Sequence, residues 1–213
     1  MSRVSIDEGR PTGLRERKKR QTRAMLSWAA IQLTVERGFD NVRVEDIAEA
    51  AGVSPRTFNN YFSSKGEAIV SRHLDRCRRI AEELRRRPAS EPLWESIKQA
   101  ALKQLDPGPE VLAHPVPERQ QWVAGVRLMV AEPAIQGEFL RAGALAEDDI
   151  AAAIADRTGT DVKHDLYPRL VAAAVMAAGN VATQHWLHAD PPVGIDRLLI
   201  EALDRLAAGL PTP

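Results

Sequence analysis

A chain of 213 residues with 29 basic and 29 acidic side chains, 44% hydrophobic and 5% aromatic, has the composition of a folded globular protein and not of a disordered or fibrous one. At this length a core closes without staples, because a chain of about 150 to 250 residues buries roughly 70% of its unfolded surface. The single cysteine, Cys77, excludes an internal disulfide framework and a cysteine metal cluster, and the longest apolar run, residues 170–178, is far short of the roughly 20 residues of a membrane span; a reducing, cytoplasmic setting is expected.

Taken in order, residues 1–13 read as a disordered tail, and strand signals are nearly absent beyond it. The recurrent 3.6-residue periodicity predicts an all-α fold of nine helices. The first spans residues 14–37, with Ala24, Trp28, Ile31, Leu33 and Val35 inward, and stops at Gly38. A short helix over 44–51 stops at Gly52. The next begins at Ser54-Pro55, a good N-cap followed by the residue that loses nothing at the first helical position, and ends near Phe62. Ser64 and Glu67 form a capping box that opens a long helix to residue 87, before Pro88. Further helices are expected over 90–105, 118–131, 133–158, 165–189 and 195–208, with an irregular proline-rich loop over 106–117. Residues 14–64 then make a compact helix-turn-helix head, and residues 65–213 a larger body for dimerisation and effector binding, joined through the fourth helix.

The zero net charge hides an asymmetry. Residues 1–65 hold 12 Lys+Arg and 8 Asp+Glu, net +4, which leaves net −4 for residues 66–213. The positive charge is concentrated in LRERKKRQTRA, residues 14–24, with Arg15, Arg17, Lys18, Lys19, Arg20 and Arg23 against Glu16. Next come two short helices joined by a glycine turn, the arrangement of a helix-turn-helix. In the first, Val44, Ile47, Ala48 and Ala51 share one face, and Ala48 is small enough for a close crossing. In the second, 100° per residue puts Phe58 and Phe62 on one side and Arg56 and Asn60 on the other, flanked by Thr57 and Asn59. Arg, Asn and Thr are side chains that read base edges or hold phosphates.

The run RGFDNVRVEDIAEAAGVSPRTFNNYFSSKGEAIV, residues 37–70, resembles the N-terminal domain of the tetracycline-repressor-like (TetR) family of bacterial regulators. The match lies in the G-F before helix two, I-A-x-x-A-G-V-S through its turn, T-F-x-x-Y-F in helix three and S-K opening helix four. The resemblance implies that Thr57, Tyr61 and Lys65 contact phosphates, that Arg56, Asn59 and Asn60 face base edges or the nearby backbone, and that the Arg15–Arg23 run lies along the DNA. Three positions depart from the family pattern. Arg43 stands where a threonine N-cap is usual, and its side chain reaches a phosphate instead of capping; Asn59 replaces an aromatic, and Gly66 replaces an acidic residue.

The resemblance further implies a homodimer with its heads in successive major grooves, and a body that encloses a small hydrophobic or amphipathic effector. The operator is a near-palindromic double-stranded DNA site and the expected action is repression. The body resembles an actinobacterial subgroup that senses acyl-CoA-type molecules. The dimer contact is placed on the last two helices, at Val171, Val175, Ala178, Ile195, Leu199 and Leu203. Candidate effector contacts are Trp94, Leu102, Trp122, Val126, Met129 and Phe139, with Arg127, Asn180, Gln184 and His185 as polar partners.

An enzyme is not expected. His73, His114, His164, His185 and His188 form no HExxH pair, there is no P-loop or GxGxxG, and no metal or cofactor is called for. Cys77 lies in DRCRRIAEELRRR, residues 75–87, read as a solvated helix face with no histidine partner close in sequence. The competing readings are an adaptor that no longer binds DNA and a regulator without an effector that senses redox state through Cys77.

Overall fold

A computed structural model describes residues 12–106, 112 and 119–212. Among them are nine α-helices and no strand: α1 Thr12–Arg37, α2 Val44–Ala50, α3 Pro55–Asn59, α4 Lys65–Arg86, α5 Leu93–Lys103, α6 Arg119–Ala131, α7 Pro133–Thr158, α8 Leu166–His188 and α9 Ile195–Ala207. The proline-rich loop expected over 106–117 falls almost wholly outside the described residues, as does His114.

Helix ends follow local chemistry. Gly52, at φ +66°, turns the chain between α2 and α3, and Gly159, also at φ +66°, closes α7; both lie in the left-handed region that a side chain disfavours. Ser54 Oγ accepts from the Thr57 N–H at 3.1 Å and so caps α3. Ser64 caps α4 through the Glu67 N–H, but the second half of the expected box is redirected: the Glu67 carboxylate accepts from Ser63, 2.7 Å from both its N–H and its hydroxyl. At α2 the missing threonine is covered from the other side, since Asp46 accepts from the Arg43 N–H at 2.8 Å, while the Arg43 guanidinium has no acceptor to offer.

Two ends are shorter than the periodicity predicts. The stretch after Asn59 winds on as a turn, with the Tyr61 N–H on the Phe58 carbonyl at 2.8 Å. α5 starts at Leu93 because the chain before it is held by an ionic junction. Arg157 of α7 donates to the Leu84, Arg87, Pro88 and Glu91 carbonyls and to Ser96 Oγ, while Arg87 and Ser96 both donate to the Glu91 carboxylate at 2.5 Å. The two arginine bonds and the serine bond hold the Glu91 carboxyl down to about 2.

α4 is the spine. It packs along α7 more extensively than any other helix pair, and the partners keep step along its length, from Ser64 beside Glu138 through Arg78–Asp149 to Arg85–Asp156, so the two helices run parallel. The basic run read as a solvated face therefore bridges helices: Arg78 and Arg85 reach α7, and Arg79 donates to Gln104 beyond α5 at 2.9 Å. Exposed pairs of this kind contribute about 0 to 1 kcal/mol each, so they set the register of the two helices more than their stability. On the other side α1 presses on α4 and α6. A Cβ on Gly125 of α6 would lie 2.5 Å from Val35 Cγ1 and 2.8 Å from the Val35 carbonyl oxygen, so glycine is what allows this approach.

α8 and α9 pack on each other and on α7 or α5. Their inward stripe contains Val171, Val175, Ala178, Leu199 and Leu203, all buried, with Ile195 half-buried. These are the residues assigned to the dimer contact; within the single chain they are buried or half-buried. Leu166, Leu170 and Val181 of α8 lie outside, 76%, 60% and 65% exposed. α8 is apolar nearly all the way round, so periodicity alone does not choose its inner face.

Candidate DNA-binding head and effector cavity

The head is built around two phenylalanines. Phe58 and Phe62 are fully buried with ring centroids 5.6 Å apart, against a core of Leu26, Val42, Ile47 and Ala48. With that side fixed, Arg56, Asn59 and Asn60 are exposed on the opposite side of α3. Thr57 is half-buried, with its hydroxyl 2.9 Å from Ser54 Oγ, and Tyr61 is half-buried with its ring beside Phe62. Arg43 and the α1 residues Arg15, Lys18 and Lys19 are exposed.

Two cations of the head are already engaged. Lys65 Nζ donates to the Phe39 and Val42 carbonyls at 2.5 and 3.0 Å and stands 4.0 Å from the Phe39 ring centroid, so it ties α4 to the turn before α2 and keeps one N–H free. Arg23, counted with the basic run, pairs with Asp75 at 3.2 Å and lies 4.6 Å from the Phe62 ring centroid, so it fastens α1 to α4.

In the body, α1, α4, α6, α7 and α8 surround a cavity of about 860 Å³, within the size range of small-molecule sites. Val126, Met129, Phe139, Asn180 and Gln184, named above as candidate effector contacts, line it. The other candidates stand elsewhere. Trp122 stacks on Trp28 with centroids 5.4 Å apart, Arg127 donates to the Leu187 carbonyl, and Trp94 and Leu102 belong to α5, whose neighbours are α4 and α9. His185 is exposed on α8 and does not line the cavity.

Sequence reasoning missed the polar wall of the cavity, Arg72, His73 and Arg76 of α4 and Glu147 of α7. The signal was present: Arg76 comes seven residues after Ile69 and eight before Leu84, on the apolar stripe of α4. His73 meets the Phe139 ring edge-on at 5.4 Å, and burial, with the Arg76 charge beside it, lowers its pKa to about 4, so the imidazole is neutral near pH 7. Cys77 does have a histidine partner, since its Sγ lies 3.7 Å from His73 Nε2. Burial pushes the thiol up to about 11 against the opposing pull of Arg76 and Arg79, so the pair is thiol and neutral imidazole, a poor nucleophile.

An all-helical chain with an exposed Arg-Asn face on the second helix of a helix-turn-helix, carried on a body with a partly open cavity, is a DNA-binding regulator in its class. The comparisons give the family. Residues 28–69 match the family model for bacterial regulatory proteins of the tetR family, and residues 91–211 match that of the MftR C-terminal domain. The HTH-type transcriptional regulator TcmR of Streptomyces glaucescens is 34% identical over 91% of this chain and 86% of its own length, and the HTH-type transcriptional activator FasR of Mycolicibacterium smegmatis is 25% identical over 89% and 84%. The fatty acid degradation regulator FadR of Bacillus halodurans shares the fold at a TM-score of 0.57, 17% identical over 90% of this chain and 97% of its own. The chain belongs to the TetR family of transcriptional regulators. Among the described residues no helix is long and apolar enough to cross a membrane.

Proposed function

We propose that the chain works as a homodimeric repressor that holds a near-palindromic operator and releases it when a small hydrophobic or amphipathic effector fills the cavity. Residues 14–64 serve as the DNA-binding head and residues 65–213 as the body. The observation that carries the reading is the face of α3: Arg56, Asn59 and Asn60 exposed together on a helix whose other side is locked by Phe58 and Phe62. Arg56 and Asn60 read base edges, while Arg43, Thr57, Tyr61, the free N–H of Lys65 and the α1 cations Arg15, Lys18 and Lys19 hold phosphates. The dimer forms through the outer face of α8, where Leu166, Leu170 and Val181 are exposed.

A physical route joins cavity and head. α7 puts Phe139 in the cavity wall and, one residue earlier, Glu138 against the start of α4, with Ser64 Oγ 3.5 Å from its carboxylate and Gly66 leaving room for its side chain. An effector that shifts α7 tilts the end of α4 that carries the head. Release then requires the effector to bind the DNA-incompetent spacing better than the competent one. Buried, protonated Cys77 favours a small-molecule input over a thiol input.

The test is selection of bound fragments from source-genome DNA by the full-length protein at about 150 mM salt, where non-specific phosphate binding is suppressed. Enrichment of one short two-fold symmetric site is the expected result. A folded protein that enriches no site overturns the reading and favours the adaptor.

A further inference from the structure

α3 is five residues long, too short to hold an orientation by itself, so the contacts at its two ends set where Arg56 and Asn60 point. Ser54 caps the first end. At the other end, Arg23 of α1 meets the chain in three ways. Its Nη1 donates to the Tyr61 carbonyl at 3.5 Å, its guanidinium carbon stands 4.6 Å from the Phe62 ring centroid, and its Nε donates to the Asp75 carboxylate of α4 at 3.2 Å. One planar side chain thereby joins α1, the turn that closes α3, and α4. A lysine offers a single point of charge and cannot make the same three contacts together.

Asp75 sets what this arginine is free to do. The carboxylate answers the Arg23 charge, and the half-buried pair offers DNA little net charge, unlike the exposed Arg15, Lys18 and Lys19 on the same helix. Arg78, 3.9 Å from the other oxygen of Asp75, is held in turn by Asp149 of α7 at 3.3 Å. We propose that Arg23 is a positioning residue for DNA reading: it fixes the end of α3 against α1 and α4 and makes no phosphate contact of its own. This deepens the DNA-binding reading and rests on it. A phosphate contact and a positioning contact differ in their response to salt, because only the first releases counterions.

The test is anisotropy titration of the selected DNA fragment with the full-length protein from about 50 to 300 mM salt. Wild type is compared with Arg23→Gln, Arg23→Lys, Asp75→Asn and the double variant Arg23→Gln with Asp75→Asn, each after a thermal melt. Arg23→Gln and Asp75→Asn are each expected to weaken binding about tenfold, with the salt slope of wild type and with preference relaxed at several operator positions together. The double variant is expected to bind no more weakly than either single one, since both break the same contact. Arg23→Lys is expected to stay as weak as Arg23→Gln. A salt slope lower by about one in Arg23→Gln, with affinity restored by Arg23→Lys, makes Arg23 a phosphate contact and overturns the proposal. Tighter binding by Asp75→Asn, which would free the arginine for DNA, overturns it too. Wild-type affinity in both single variants reduces the pair to a brace of the fold and overturns it as well. Should Arg23→Gln fail to melt cooperatively, the isosteric Asp75→Asn carries the same test. A wild type that selects no fragment overturns the DNA-binding reading itself, whereas each of the other outcomes requires wild-type binding and leaves that reading in place.

Discussion

Arg56 and Asn60 differ from Lys65 in what their side chains already hold. The first two are exposed and make no side-chain bond among the described residues, so their replacement changes the DNA interface and little else. Arg56→Ala and Asn60→Ala are each expected to lower discrimination at one operator position by about 1 to 3 kcal/mol, seen as relaxed preference in competition binding, with the melting temperature unmoved. Lys65→Ala removes the donor of two carbonyls, so it is expected to lower thermal stability as well as affinity, the affinity loss being uniform across sequences. A lysine variant that melts like wild type but changes sequence preference would reverse these roles. The outward face of α3 was legible in sequence because two phenylalanines four apart fix the rotation of a short helix. Arg76 was legible only through its spacing from Ile69 and Leu84, a signal masked by a run rich in arginine; α1 and α7 packing on α4 fixes which members turn inward.

At the scale of elements, the junction of α4, α5 and α7 is held by Glu91 and Arg157. The Glu91 carboxyl sits below its usual 4.5, at about 2, so its contribution to stability is fully present above about pH 4.5 and is lost as pH falls toward 2. Glu91→Gln is expected to flatten that part of the acid dependence in thermal melts taken from pH 5 down to pH 2; an unchanged acid slope would show that the junction carries no weight. Gly125→Ala is expected to destabilise the fold by about 1 to 3 kcal/mol, measured by denaturant unfolding, because the added methyl meets the Val35 carbonyl, which moves only if α1 moves. The helices themselves were legible from glycine, proline and capping residues, and α7 was placed to the residue at both ends. α5 was misjudged at its start because the bond that sets it comes from Arg157, more than sixty residues away.

For the whole molecule, the proposed dimer turns on how its two heads are spaced. One α3 offers too little surface for specific recognition, and a dimer whose heads enter successive major grooves places them about 34 Å apart. Leu170→Glu on the outer stripe of α8 is expected to yield a folded monomer by sedimentation and to abolish specific binding, whereas a change at buried Val175 would damage the fold itself. Periodicity did not choose the inner face of α8, because the helix is rich in alanine on every side; its packing on α7 and α9 shows which face the single chain uses. The most direct measurement is a hydroxyl-radical footprint of the full-length protein on its selected fragment. Two protected windows on one face of the duplex, one helical turn apart and related by the dyad of the sequence, are expected. A single window, or protection with no two-fold relation, would contradict a dimer reading DNA through paired α3 helices.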